Sequence, residues 1–136
     1  MPLTSQEEMV RRLLIDRRLS FEQHHVFDLG KRGRLSVDFL VVFGPGIVLE
    51  CTSCSTKRGK ALSEIRRRSA FINYRFQLLK TAFPGLICGA LIEAPNEDQA
   101  KLASELTQIL TFSNFNARGE EELREALSVI QAGHDN

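Results

Sequence analysis

The chain has 136 residues, 43% of them hydrophobic and 26% charged, with a formal net charge of +1. These values fit one globular domain over residues 1–136 that can bury its own core. No apolar run approaches the ~20 residues that span a bilayer, and the N-terminus lacks the order of a secretory signal. We therefore expect a cytoplasmic protein with no membrane partner.

The first predicted element is a helix near the N-terminus. Thr4 or Ser5 supplies an N-cap, Glu7 lies in the first turn, and an apolar stripe predicts about four turns ending near Arg18. Residues 21–43 then alternate as two strands joined by a basic, glycine-bearing turn. The Gly-Pro-Gly sequence at 44–46 predicts a second hairpin that leads into a third strand.

The second half of the chain changes to helical spacing. From Lys60 to Phe83 the apolar residues share one narrow face, and the helix ends before Pro84. An apolar run over 86–95 predicts a buried strand, and two more helices follow over 96–110 and 119–133. The predicted order is α-β-β-β-α-β-α-α, an α/β fold with a mixed four-stranded sheet flanked by helices.

Two carboxylates stand out because the other residues of their predicted strands are mostly apolar, as in strands of a buried core. Asp38 lies near the start of the second strand and Glu50 at the end of the third. Counted from Pro45, Asp38 is seven residues back and Glu50 is five forward, so a bulge or a splayed turn is needed to bring them together. Converging carboxylates suit Mg²⁺, which binds one or two of them with water and substrate phosphate, and the Cys51 carbonyl is a further candidate ligand.

Basic residues follow this pair directly. The segment "STKRGKALSEIRRR" contains six lysines and arginines at the start of the long predicted helix. Such a strip is typical of proteins that bind the phosphate backbone of a nucleic acid, with an affinity that falls as the salt concentration rises. The candidate nucleic-acid-binding residues are Lys57, Arg58, Lys60, Arg66, Arg67 and Arg68.

The succession of a helix, a β-meander, "VDF", "VLECTSCSTKRG" and an Arg-rich helix resembles the PD-(D/E)xK nuclease superfamily. That superfamily has the restriction-endonuclease-like fold and includes the archaeal Holliday-junction resolvases. The resemblance covers about Thr4 to Pro95. It implies a metal-dependent DNA endonuclease acting in repair, recombination or restriction, with Asp38 and Glu50 matching the two acids of the motif.

The resemblance also implies a cation and catalytic roles. Mg²⁺ or Mn²⁺ would be held by Asp38, Glu50 and the Cys51 carbonyl, with Glu7 as a third acid from the first helix. The lysine of the motif is replaced by Thr52, and Lys57 is the best local substitute for positioning the attacking water. Since one domain has one active centre, cutting both strands of DNA implies a homodimer.

Two other interpretations stay open. With the motif lysine replaced by Thr52, the alternative is a catalytically inactive nucleic-acid-binding or assembly module on the same fold. The CxxC spacing of Cys51 and Cys54 instead suggests zinc or redox chemistry, with further ligands from Cys88 or from His24 and His25. The two histidines are adjacent in a predicted strand, so at most one of them faces the acids.

Overall fold

A computed structural model describes residues 5–53, 61–93 and 114–135. We number the elements within these residues in chain order. They are α1 (Ser5–Asp16), β1 (Ser20–Asp28), a 3₁₀ turn (Gly30–Arg32), β2 (Arg34–Val42), β3 (Ile47–Ser53), α2 (Ala61–Ala82), β4 (Ile87–Glu93), β5 (Phe115–Ala117) and α3 (Glu120–Asp135).

The strands form one mixed sheet in the order β1-β2-β3-β4-β5. The first two pairings are antiparallel, as hairpins require, and the last two are parallel. Helix α2 makes the crossover from β3 to β4, because two parallel strands cannot be joined by a tight turn.

Helices cover both faces of this sheet and bury two separate cores. On one face, side chains of α1 and α3, such as Leu14 and Leu127, pack with Leu49 of β3. On the other face, Phe76 and Leu79 of α2 pack with strand residues that include Val48. Because Val48 and Leu49 are neighbours in β3, the normal alternation of a strand sends one to each core.

The alternation changes phase inside β2. Leu35 and Val37 pack in the core beside α2, whereas Phe39 and Val41, at the same odd spacing, pack in the core beside α1 and α3. The strand therefore exchanges its two faces between Val37 and Phe39. The residue at this exchange is Asp38, whose side chain is half-buried.

The fifth strand corrects the expectation of four strands. The segment before α3 pairs with β4 because Asn114 donates its backbone N–H to the Cys88 carbonyl at 2.8 Å and accepts the Cys88 N–H through its side chain at 3.0 Å. The ring of Phe115 then lies against the backbone of Gly89, where an added Cβ would come within 2.1 Å of it. The helix predicted over 96–110 lies outside the described residues.

Most other boundaries agree with the sequence. The predicted helix Lys60–Phe83 is observed as Ala61–Ala82, and the three consecutive strands form the expected meander. Within the described ranges, no helix has both the length and the apolar character needed to cross a membrane.

Candidate active site

Three polar residues lie in one row across β1, β2 and β3. The last pair in the β2–β3 register is Phe39 with Leu49, and the next position in that register brings Asp38 opposite Glu50. The β1–β2 register omits a single position, at which His24 lies opposite Asp38. The sheet thus aligns His24, Asp38 and Glu50 on neighbouring strands.

The hairpin between β2 and β3 explains this alignment. Its turn is closed by the Gly46 N–H, which donates to the Phe43 carbonyl at 3.0 Å. The register is centred on Gly44 and not on Pro45, so each acid is six residues from the centre. The bulge or splayed turn expected from the sequence is therefore not needed. Gly46 has a φ of +104°, and an added Cβ would approach Leu86 to 2.9 Å, so this turn requires glycine.

Asp38 is tied to the strand that carries the second acid. Its Oδ2 accepts a hydrogen bond from the backbone N–H of Cys51 at 2.7 Å. This side-chain bond lies just where the regular β2–β3 pairing stops. It fixes the orientation of the carboxylate, and it brings the Cys51 backbone, a predicted ligand, next to Asp38.

Glu50 lies on the α2 side of the sheet, in contact with a cation. Its side chain is only 9% exposed, and its Oε1 accepts a hydrogen bond from Nη2 of Arg75 at 2.9 Å. The same nitrogen of Arg75 also donates to the Ser36 carbonyl, and the guanidinium lies over the Phe71 ring. Arg75 therefore joins α2 to both carboxylate-bearing strands.

The environment of Glu50 changes its acidity. Burial raises the pKa of Glu50 from 4.5 to about 7, the hydrogen bond from Arg75 opposes this rise, and the neighbouring Asp38 carboxylate adds to it. Near neutral pH, Glu50 therefore gains or loses its proton readily.

A second group of ligand atoms meets Asp38 from the opposite side. Glu7 of α1, His24 and Asp38 each offer one atom, and these three atoms lie within 4.8 Å of one another. Glu7 is 14% exposed in its side chain, and its Oε2 lies 3.6 Å from Nε2 of His24. Ligands at about 2.1 Å from one cation are at most about 4.2 Å apart, so a small closure would let all three bind it.

Asp38 consequently belongs to two contacts at once. Toward α2 it lies beside Glu50, and toward α1 it lies beside Glu7 and His24. Among the described residues, Glu50 is not a member of the three-atom group and is bonded to Arg75. The exchange of faces at Asp38 is what allows one carboxylate to meet groups from both helical layers.

Part of the predicted basic strip continues along α2. Arg66 and Arg67 are exposed near the start of this helix, and Arg68 is half-buried. The helix therefore presents cations to solvent before the turn that carries Arg75. The other members of the strip, Lys57, Arg58 and Lys60, lie outside the described residues.

Cys88 gives little support to a thiolate site. Cys88 is buried in the core beside α2, and burial raises the pKa of its thiol to about 12, so it packs as a small apolar residue. His25 is not a member of the group formed by Glu7, His24 and Asp38, and its Nδ1 is hydrogen-bonded to Glu22. Cys54 lies outside the described residues.

Two residues of the site, Arg75 and His24, were not assigned to the magnesium site from sequence. Arg75 flanks the apolar stripe of its helix, and this position already indicated that it could reach the site, although no role was assigned to it. His24 was only one of two equivalent histidines in sequence. Its φ of +54° and the absence of a regular backbone pair between His24 and Asp38 distinguish it from His25 in the structure.

Comparisons with known proteins bear on the fold alone. No protein-family model matches the chain, and no curated protein matches it. Among solved structures, the chain is similar to the crystal structure of a protein of unknown function, AF1548, with a TM-score of 0.50 and 16% sequence identity. The similarity covers 82% of this chain and 54% of that one, so this chain spans about half the length of the protein it matches. The chain is an α/β protein with a mixed sheet between layers of helices, a fold that it has in common with part of that structure.

Proposed function

We propose that this protein is a metal-dependent DNA endonuclease of the PD-(D/E)xK superfamily, built on a restriction-endonuclease-like domain. The observation that carries the proposal is the juxtaposition of Asp38 and Glu50 on adjacent strands, with Glu7 reaching the same Asp38 from α1. Acids from two neighbouring strands and the first helix correspond to the three positions implied by the sequence resemblance.

The donor set fits a small divalent cation. Glu7, Asp38 and Glu50 offer carboxylate oxygens, and the Cys51 carbonyl remains a further candidate ligand. A bound Mg²⁺ or Mn²⁺ would stabilise negative charge on the phosphate and acidify a water molecule. The hydrogen bond from the Cys51 N–H holds Asp38 in one orientation, which is what a preorganised ligand needs.

Arg75 supplies positive charge where the motif lysine is replaced. Thr52 lies two residues after Glu50 in β3 and is buried, so it brings no cation to the site. The side chain of Arg75 is 17% exposed and its guanidinium is bonded to Glu50, so it balances the charge of an acid that burial would otherwise keep protonated. Lys57 stays the candidate for orienting the attacking water and lies outside the described residues.

The exposed arginines at the start of α2 suit a polyanionic substrate. Arg66 and Arg67 extend from the same helix that carries Arg75, so phosphates bound there would lie along the helix that reaches the acids. Each phosphate that these arginines neutralise would increase the affinity for DNA and make that affinity more sensitive to salt. Cleavage of both strands of DNA would require a homodimer.

A second candidate function is DNA binding without cleavage. It is favoured by the contact between Glu50 and Arg75, because an acid already paired with a guanidinium has less charge to offer a cation. The buried Thr52 in place of lysine points the same way. In this alternative, the site is structural and the basic surface of α2 provides the activity.

The test is cleavage of branched, duplex and single-stranded DNA with Mg²⁺, with Mn²⁺ and with a chelator. Asp38→Asn is the informative variant, because its amide oxygen can still accept the Cys51 N–H while the charge is lost. We expect the variant to cleave at least about 100-fold more slowly, since even outer groups of metal sites contribute about 10–100-fold. Asp16→Asn removes an equal charge from the exposed end of α1 and should cleave normally.

The outcomes separate the two candidate functions. Metal-dependent cleavage that is lost in Asp38→Asn and kept in Asp16→Asn would support the endonuclease. DNA binding that survives chelation, with no cleavage of any substrate, would refute it in favour of the binding module. Equal cleavage by both variants would mean that the active centre lies elsewhere.

A further inference from the structure

The group formed by Glu7, His24 and Asp38 contains an imidazole nitrogen, which is not among the cation ligands proposed above. We propose that His24 is a ligand of the cation and makes the site select Mn²⁺ over Mg²⁺. This inference rests on the proposed function, since it concerns the metal that the endonuclease uses.

The geometry distinguishes His24 from the histidine beside it. His24 lies opposite Asp38, and its Nε2 is 3.6 Å from Glu7, so its ring reaches both carboxylates. His25 bonds to Glu22 instead and lies outside the three-atom group. Of the two histidines, His24 is therefore the one that meets Glu7 and Asp38.

The backbone of β1 departs from regular geometry at His24. A φ of +54° is uncommon for any residue except glycine, although histidine and asparagine accept it more readily than most. In the same place the β1–β2 pairing omits one position, while the pairs on both sides of it keep the same register. The departure therefore leaves the strand pairing intact, while the two faces of β1 exchange: Phe21 packs in the core beside α1 and α3, and Phe27 packs in the core beside α2.

The chemistry of the donors predicts the preference. Mg²⁺ binds oxygen ligands almost exclusively and keeps several waters, so an imidazole offers it little. Transition-metal ions accept imidazole nitrogen together with carboxylates, and Mn²⁺ also retains the affinity for oxygen that a phosphate substrate requires. His24 is 60% exposed, so its ring can move toward a cation without opening the core.

Cation binding without DNA tests the inference. The free Mn²⁺ signal in electron paramagnetic resonance gives the Mn²⁺ affinity directly, and competition gives that of Mg²⁺. We expect the wild type to prefer Mn²⁺, and His24→Asn to weaken Mn²⁺ binding by at least about tenfold while Mg²⁺ binding changes little. Asparagine tolerates the positive φ, so this variant removes the imidazole without imposing new strain. His25→Ala is the matched control and should keep the wild-type ratio.

The measurements distinguish failure of the inference from failure of the proposed function. If Asp38→Asn loses both cations but His24→Asn keeps the wild-type Mn²⁺ to Mg²⁺ ratio, the metal site stands and the role of His24 is refuted. If the wild type binds neither cation, both the metal site and the role of His24 are refuted. Selective Mn²⁺ binding that depends on His24, in a protein that cleaves no DNA, would uphold the inference and refute the endonuclease.

Discussion

Replacement of Glu50 by glutamine should change how the stability of the metal-free protein depends on pH. Burial, opposed by Arg75 and assisted by Asp38, raises the pKa of Glu50 in the folded chain to about 7, against 4.5 for an unperturbed carboxyl group. The folded state therefore binds this proton more tightly than the unfolded state does. Ionising Glu50 therefore lowers the free energy of unfolding. This loss of stability is absent below pH 4.5, grows as the pH rises, and is complete above pH 7.

The magnitude follows from the two pKa values. Each pH unit between them is worth about 1.4 kcal/mol, so the full cost is about 3 kcal/mol, and most of it develops between pH 5 and pH 8. Because Glu50 is almost fully buried, solvent screens little of this cost. The free energy of unfolding of Glu50→Gln relative to wild type should therefore rise by about 2–3 kcal/mol between pH 5 and pH 8.

Urea denaturation in the presence of a chelator, followed by circular dichroism at several pH values, measures this change. Only the change with pH is diagnostic, because any constant effect of the amide on packing cancels. Glu8→Gln removes a carboxylate from the exposed face of α1 and is the matched control, and its curve should run parallel to that of the wild type. Parallel curves for Glu50→Gln would refute the assignment of the raised pKa to Glu50.

Two further substitutions test contacts in the sheet and the site. Gly89→Ala should lower the free energy of unfolding by about 1–3 kcal/mol, because its Cβ would overlap the Phe115 ring. In the same urea experiment Gly133→Ala, with nothing within 4 Å, should be neutral or stabilising by up to about 1 kcal/mol. Arg75→Met should cost about 3–5 kcal/mol at pH 8, where it leaves a buried carboxylate alone, and clearly less in a Glu50→Gln background. Equal costs in the two backgrounds would show that Arg75 and Glu50 are not coupled.

Periodicity was sufficient to predict the long elements. The helix observed at Ala61–Ala82 was expected within one residue at each end, because its apolar residues recur at helical spacing and Pro84 limits it. The short strand Phe115–Ala117 was missed, because three residues give no alternation. Its pairing depends on Asn114 and on the space above Gly89, which are tertiary features.

The two acids of the site could be predicted from the sequence, whereas the choice of histidine and the pairing of Glu50 with Arg75 could not. Asp38 and Glu50 could be singled out as carboxylates in apolar strands, yet their register depends on how the Gly44–Gly46 turn is centred. The choice between the two histidines depends on one backbone angle that no residue pattern encodes. Arg75 is separated from Glu50 by 25 residues, so only the docking of α2 on the sheet brings them together.

The row formed by His24, Asp38 and Glu50 makes the site sensitive to the lengths of two turns. Residues 29–33 set the register of β1 on β2, and residues 43–46 set that of β2 on β3. One residue added to or removed from either turn would shift a strand by one place and send its polar side chain to the other face. The two turns can therefore accept changes of residue type where backbone angles permit. A change of length in residues 43–46 would separate Glu50 from Asp38, and one in residues 29–33 would separate His24 from Asp38. Either change would also move the apolar residues of the shifted strand out of their cores.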